Sequence, residues 1–214
     1  MEGDNVCLSQ GRGEAKDMGI EGGFRVQDSM SKVQRAERAF KRAIVYELFS
    51  YAFGEPDSEL LEFIRDGGFS GHLADALTYH PYLREGLIIK LRELKEEVKG
   101  MDIEEMLGLY SVIASREKNL LYEGNYHHPF NTFEEMADIA GFYRAFGLDF
   151  SGERPDHLCL ELEFMRILCL KEAKALLEDR QEQAEICISA EAKFLSSHTG
   201  RWTEGLMKKA EGIR

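Results

Sequence analysis

The sequence predicts an all-α chain, a single-domain multi-helix bundle. Three observations predict it. Apolar residues recur at three- and four-residue spacing in segment after segment, no segment sustains the alternation of a half-buried strand, and Gly or Pro punctuates the ends of the periodic runs. A length of 214 residues suffices for one domain with a sizeable buried core.

Residues 1 to 30 stand apart. They hold Gly3, Gly11, Gly13, Gly19, Gly22 and Gly23 and no sustained period, which predicts a poorly ordered N-terminal arm ahead of a helical domain over 31–214. In that domain Ala36, Ala39, Phe40, Ala43, Ile44, Phe49 and Phe53 keep helical spacing until Gly54-Glu55-Pro56 stops the run. Asp57 or Ser58 caps a short helix through Leu60, Leu61 and Ile64, which ends at Gly67-Gly68. Pro81 opens a helix carrying Leu83, Leu87, Leu91, Leu94 and Val98, closed by Gly100. Asp102 opens the next, with Ile103, Met106, Leu107, Tyr110, Ile113 and Ala114 on one stripe.

After an irregular stretch from Tyr122 to Asn131 the same grammar resumes. Thr132-Phe133-Glu134-Glu135 reads as a capping box, and its helix runs through Ala140 and Tyr143 to Gly147. A loop from Asp149 to Arg154 leads to Pro155, suited to the first residue of a helix. That helix is apolar around most of its circumference from Leu158 to Leu170, the mark of a central, multiply packed element. One further helix, 180 to 197, precedes His198, Trp202 and a short polar end.

Composition excludes several classes. Against 27 Lys+Arg stand 39 Asp+Glu, a net charge of −12, so the chain lacks the basic footprint of a nucleic-acid binder. A cationic partner suits it. No apolar run approaches the roughly 18 residues of a membrane span, and no charged-then-apolar leader opens the chain. Cys7, Cys159, Cys169 and Cys187 form no CxxC pair. The expectation is a cytoplasmic, reduced protein.

Catalytic signatures are sparse. The chain has no G-x-S-x-G elbow and no P-loop. His127-His128 are adjacent and would diverge on a helix. Cys159 and Cys169 are ten residues apart on one predicted helix, about 15 Å, too far for joint ligation. Asp156-His157 resembles half of a metal-dependent phosphohydrolase site with the order reversed. No metal, cofactor or catalytic residue is expected.

Gly152-Glu153-Arg154-Pro155-Asp156-His157-Leu158 is different in kind: it gathers two carboxylates, a guanidinium and an imidazole ahead of the most apolar helix. Capping accounts for Asp156 and Pro155. It leaves Glu153 and His157 unexplained, and binding groups concentrate on loops set on rigid helices. Both readings stay open. Tyr122-Glu123-Gly124-Asn125-Tyr126-His127-His128-Pro129-Phe130 is a second aromatic and acidic stretch, either tucked into the core or rimming a groove.

The run from Gly152 to Leu158, followed by Glu161-Leu162-Glu163-Phe164-Met165, closely resembles the signature of the TorD/DmsD/NarJ family of molybdoenzyme-assembly chaperones. Ala137 to Leu148 is similar to the segment preceding that loop, Leu121-Tyr122-Glu123 to Tyr126 to its P-Y-E-S-x-Y element, and Phe194-Leu195 with His198 and Trp202 to its F-L-x-x-H-L-x-x-W. The resemblance covers Ser31 to Trp202 in one order. It implies a TorD-like helical fold, here with a shortened C-terminal helix because relatives continue beyond the tryptophan. It also implies a cytoplasmic, non-enzymatic chaperone, a monomer or a homodimer with or without domain swapping.

Such a chaperone binds the N-terminal twin-arginine leader, or a related segment, of a molybdopterin-enzyme catalytic subunit and holds it until cofactor insertion is complete. Carried over, the family's binding loop is Glu153, Pro155, Asp156 and His157. Two guanidinium groups ahead of an apolar segment call for carboxylates beside an apolar groove. Glu153 and Asp156 are the first candidates for the arginines and Glu123 the second, with Tyr122 and Tyr126 flanking the apolar part. His157 shapes the loop or senses pH; Arg154 pairs with Glu153 or meets client backbone. The alternatives are an HD-like metal-dependent phosphohydrolase and a permanent helical interaction subunit of a redox complex.

Overall fold

A computed structural model describes residues 30–116, 119–126, 132–149 and 154–212, except the side chains of 81–84 and 114–116. Most of the expected arm, the His127-His128 pair and Glu153 lie outside the described residues. Among these residues the chain is helical, with one isolated antiparallel bridge, Tyr122 to His157, and no strand. The helices are α1 (Lys32–Ala52), α2 (Ser58–Arg65), α3 (Gly68–Ala76), α4 (Pro81–Val98), α5 (Ile103–Arg116), α6 (Thr132–Ala145), α7 (Leu158–Leu177), α8 (Gln181–Ser197) and α9 (Thr199–Glu211). The all-α expectation holds.

The punctuation acts as its chemistry dictates. Asp57 caps α2, its carboxylate accepting from the Leu60 N–H at 2.8 Å. Asp102 accepts from the Glu105 N–H at 2.7 Å ahead of α5. Gly67, Gly100 and Gly147 adopt the left-handed backbone that ends helices. Between α7 and α8 that role falls to Asp179, at φ 58°, where the Arg180 N–H reaches back to the Ala175 carbonyl at 2.8 Å. So tight a turn makes α7 and α8 antiparallel neighbours.

Helix α7 is the axis of the domain. Antiparallel to it runs α1: Lys32 reaches Asp179, Arg42 reaches Glu172, and the Ser50 hydroxyl donates to the Cys159 carbonyl at 3.1 Å. Small residues (Ala36, Ala39, Ala173, Ala175 and Ala184) bring α1, α7 and α8 close. A second layer joins Ile139 and Tyr143 of α6 to Phe164, Met165 and Leu168 of α7 and Phe194 of α8. Phe164 and Phe194 meet edge to face, 4.8 Å between ring centres, a geometry their quadrupoles favour. Leu158 and Leu162 pack on Trp202 and Leu206 of α9. Farther out, Leu48 of α1 meets Phe69 and Leu73 of α3, with Leu77 and Leu91.

Three boundaries differ from the sequence reading. Residues 68–76 form α3, whose opening glycine reads as a stop. The expected short polar end is a helix, α9, because Trp202 and Leu206, one turn apart, have an apolar face on α7 to bury. Helix α7 starts at Leu158, not at Pro155: His157 is its N-cap, Nδ1 accepting from the Cys159 N–H at 3.3 Å, and Pro155 lies in the turn before it.

One polar node fastens α1 to both neighbours. The Arg42 guanidinium donates to both Glu191 oxygens at 3.0 and 3.1 Å and to Glu172 at 2.5 Å, and the Tyr46 hydroxyl donates to Glu191 at 3.2 Å. Burial raises the Glu172 pKa against the pull of Arg42. Removing the cation would leave two mostly buried carboxylates facing each other. Arg42→Ala is expected to cost about 3 kcal/mol in urea unfolding, whereas Lys41→Ala, on an exposed ion pair with Asp75, should change stability by about 0.5 kcal/mol or less.

Candidate functional site: an acidic hinge beside an apolar cleft

The stretch before α7 and the turn Tyr122–Tyr126 are clamped together. Through the Tyr122–His157 bridge, the Glu123 N–H donates to the Asp156 carbonyl at 2.9 Å and the Leu158 N–H to the Leu121 carbonyl at 2.8 Å. From α6 the Tyr143 hydroxyl donates to the Pro155 carbonyl at 2.9 Å. The two segments the sequence singled out therefore form one hinge.

Asp156 lies at its centre and is 1% exposed. Its carboxylate accepts from the Gly124 N–H at 3.0 Å and from Arg154 in a fork, Nε at 3.0 Å and Nη2 at 2.6 Å. The Arg154 guanidinium also lies 4.7 Å from the centre of the Tyr122 ring. Arg154 thus pairs with Asp156 from two residues away, where the fork geometry is met. The His157 ring packs edge-on against Tyr122 at 4.9 Å and shapes the loop. Asp156 and His157 turn their polar groups to different partners, the first to Arg154 and the Gly124 amide and the second to the Cys159 amide.

Glu123 and Tyr126 serve the interior. Glu123 is fully buried and faces His198 Nδ1 at 3.2 Å, while His198 Nε2 meets Asp138 at 3.1 Å. Glu123 is thus turned to His198 and away from solvent. The Tyr126 ring lies on Trp202 at 5.0 Å, under the Lys209 ammonium at 4.2 Å, and its hydroxyl donates to the Leu120 carbonyl.

Beneath them is a group to which the sequence reading gave no role of its own. Glu161 of α7, fully buried, accepts from Trp202 Nε1 at 3.2 Å, and its other oxygen meets no donor. Burial, and then the nearby Glu123, push its pKa well above the usual carboxylate range. For His198 burial acts downward, but the bonds and charges of Glu123 and Asp138 outweigh it and raise its pKa. Ligand atoms of Glu123, Glu135 and His198 lie within 4.8 Å of one another. All three are engaged, Glu135 by Arg201 at 2.8 Å, so the cluster reads as an ion-pair and proton network.

A cleft of about 710 Å³ opens beside the first turns of α7, lined by Ile44, Leu48 and Tyr51 of α1, Phe63 of α2 and His72 of α3. Glu47, Glu55, Glu59 and Glu163 also line it. Arg166 bridges Glu47 at 3.2 Å and Glu163 at 2.7 Å; Glu55 and Glu59 stand exposed with no ion pair among the described residues. The cleft and the hinge meet at α7, since Ser50 of the cleft wall bonds Cys159, two residues past His157. No sequence motif marks the cleft; the acidic positions around the Gly54-Pro56 turn are its one trace.

Residues 90–208 match the model of the nitrate reductase delta subunit family. The chain belongs to that family. It is 31% identical over 176 residues to the perchlorate reductase assembly chaperone protein of Dechloromonas aromatica (strain RCB), covering 79% of this chain and 78% of the relative. It is 32% identical over 110 residues to the chlorate reductase assembly chaperone protein of Ideonella dechloratans and 30% identical to the selenate reductase assembly chaperone protein of Thauera selenatis, in each case over 50% of this chain and 56% of the relative. No solved structure matches. The resemblance to the TorD/DmsD/NarJ chaperones is borne out: this is a molybdoenzyme-maturation chaperone family, whose members assemble enzymes and do not catalyse. Among the described residues no helix is long and apolar enough to cross a membrane.

The buried network carries a pH signature. Groups that hold protons more tightly when folded stabilise the fold below their unfolded pKa and lose that contribution as pH rises through the folded one. Glu161 loses its share from about pH 4.5 upward and His198 from about pH 6.5 upward. Urea midpoints should therefore fall between pH 6.5 and 8. Glu161→Gln, which keeps an acceptor for Trp202 and carries no charge, should fall less steeply; parallel curves would remove Glu161 from the titration.

Proposed function

We propose that the chain is a cytoplasmic chaperone that holds the N-terminal segment of a molybdopterin-enzyme catalytic subunit, a twin-arginine leader or a related cationic and apolar stretch, until its cofactor is inserted. The observation that carries the reading is the apolar cleft rimmed by glutamates beside the acidic hinge. A volume of about 710 Å³ falls within the roughly 300–1,000 Å³ of ligand pockets, and Ile44, Leu48, Tyr51 and Phe63 offer it an apolar floor. Glu55 and Glu59 complement a cationic segment in sign. The relatives' names, assembly chaperones of perchlorate, chlorate and selenate reductases, favour an oxoanion reductase as client.

On this reading Tyr122, Pro155, Asp156 and His157 form the hinge that meets the client's arginines, together with Glu153, while Glu123 and Tyr126 hold the hinge in place from behind. Affinity should be moderate, because the client segment must be ordered on docking and released later.

Co-purification from source cells identifies the retained subunit, and calorimetry with a peptide of its N-terminal segment measures the contact. Reversing both free charges, Glu55→Lys with Glu59→Lys, is expected to raise Kd about tenfold, or about 1.4 kcal/mol, with helical circular dichroism unchanged. An unaltered Kd would remove the cleft from the site. A folded chain that retains no catalytic subunit would overturn the function itself.

A further inference from the structure

We propose that the hinge is a guanidinium slot that Arg154 fills in the unloaded protein, and that an arginine of the client enters by displacing it. The identity of the displacing ligand rests on the function proposed above; the slot itself rests on the geometry of this chain.

Asp156 presents both oxygens to one guanidinium, in the two-point fork that distinguishes arginine from lysine. The Tyr122 ring supplies an aromatic face at 4.7 Å, to which a guanidinium is also attracted. The Gly124 N–H bonds the same carboxylate oxygen as the Arg154 Nη2, from beside the guanidinium. Carboxylate fork, aromatic wall and backbone anchor together describe a receptor for a guanidinium group, and the chain's own arginine shows that one fits.

The slot is also reachable. Asp156 is 1% exposed, but the Arg154 side chain that covers it is 41% exposed, so the lid over the acid is itself in contact with solvent. Arg154 lies outside any helix; its side chain fills the slot while its carbonyl accepts from the His157 N–H at 3.3 Å. Exchanging one guanidinium for another leaves the charge-assisted hydrogen bonds unchanged in number, so the buried carboxylate is never left unpaired once the client has entered.

The room is closely set. A methyl group on Gly124 would lie 3.0 Å from the Asp156 carboxylate, 3.1 Å from the Arg154 guanidinium and 2.7 Å from the Thr132 methyl. A side chain at position 124 would therefore narrow the slot for any guanidinium.

An occupant built into the chain lowers apparent affinity by the fraction of time the slot is free. If that fraction is about a tenth, removing the occupant tightens binding about tenfold. The test is Arg154→Gln in the full chain, titrated with the client's N-terminal peptide and with the same peptide carrying glutamine in place of its arginines. The expected result is a Kd about tenfold lower for the arginine peptide and no change for the glutamine peptide. Equal or weaker binding of the arginine peptide by folded Arg154→Gln would overturn the proposal while leaving the chaperone reading intact.

Should that variant not fold, Arg154→Lys, which keeps the charge and loses the fork, is expected to tighten arginine-peptide binding to a lesser degree; an unchanged Kd overturns the proposal. N-acetyl-arginine amide separates the slot from the client. It should raise the melting temperature of Arg154→Gln and not that of Arg154→Gln combined with Gly124→Ala. Equal shifts in both would overturn the slot even where no client peptide binds.

Discussion

Each carboxylate that this strongly acidic chain buries must meet a donor, and the places where it does so are the joints of the structure. Glu172 and Glu191 meet Arg42 where α1, α7 and α8 converge. Glu123 meets His198 where the Tyr122–Tyr126 turn touches the end of α8. Asp156 meets Arg154 and the Gly124 amide where that turn is fastened to the start of α7. Glu161 meets Trp202 where α9 closes over the bundle. A buried pair adds little net stability over apolar packing, but its directional demand fixes which elements adjoin.

That demand also divides labour among the acids of the candidate site. Glu123, Glu161 and Asp156 look alike in the sequence, as carboxylates near aromatic residues. In the fold Glu123 and Glu161 face inward to a histidine and a tryptophan, and Asp156 is capped by a guanidinium that solvent can reach. Free negative charge is left on the cleft rim, at Glu55 and Glu59, which no motif singles out. A hinge whose acid is already paired and an open cleft whose rim acids Glu55 and Glu59 have no ion pair among the described residues are different kinds of surface, and on the proposed function a client with a cationic and an apolar part has use for both.

Much of the fold was legible because local chemistry determines it. The apolar helix from Leu158, the stop at Gly147, the cap at Asp57 and the proline opening α4 follow from periodicity and backbone preference within a few residues. What was hidden depends on distant partners. Helix α9 looks like a polar tail until Trp202 and Leu206 are given α7 to pack on, and α3 looks like a glycine stop until Phe69 and Leu73 are given Leu48. The same holds at the site. The hinge was visible as a run of unusual residues, whereas the pairing of Arg154 with Asp156 and the inward turn of Glu123 are set by a contact between segments more than thirty positions apart.

The geometry of α7 sets the interval between the two surfaces. His157 caps the helix and Glu163 lines the cleft; they lie six positions apart, a rise of about 9 Å along the helix. An extended chain covers that in about three residues. A segment with arginine at the hinge therefore brings the residues a few positions away from it to the cleft, where the surface changes from acid to apolar. On the proposed function, that spacing suits a segment whose charged and apolar parts lie a short interval apart and not one in which the two are far apart. The α1–α7 contact at Ser50 and Cys159 holds the cleft wall to the first turn of the same helix, so the distance between the two surfaces is set by the core rather than by a mobile connection. On the proposed function, recognition would depend on the interval between charge and apolarity along the client, a property that an unfolded N-terminal segment keeps before its protein has acquired a fold.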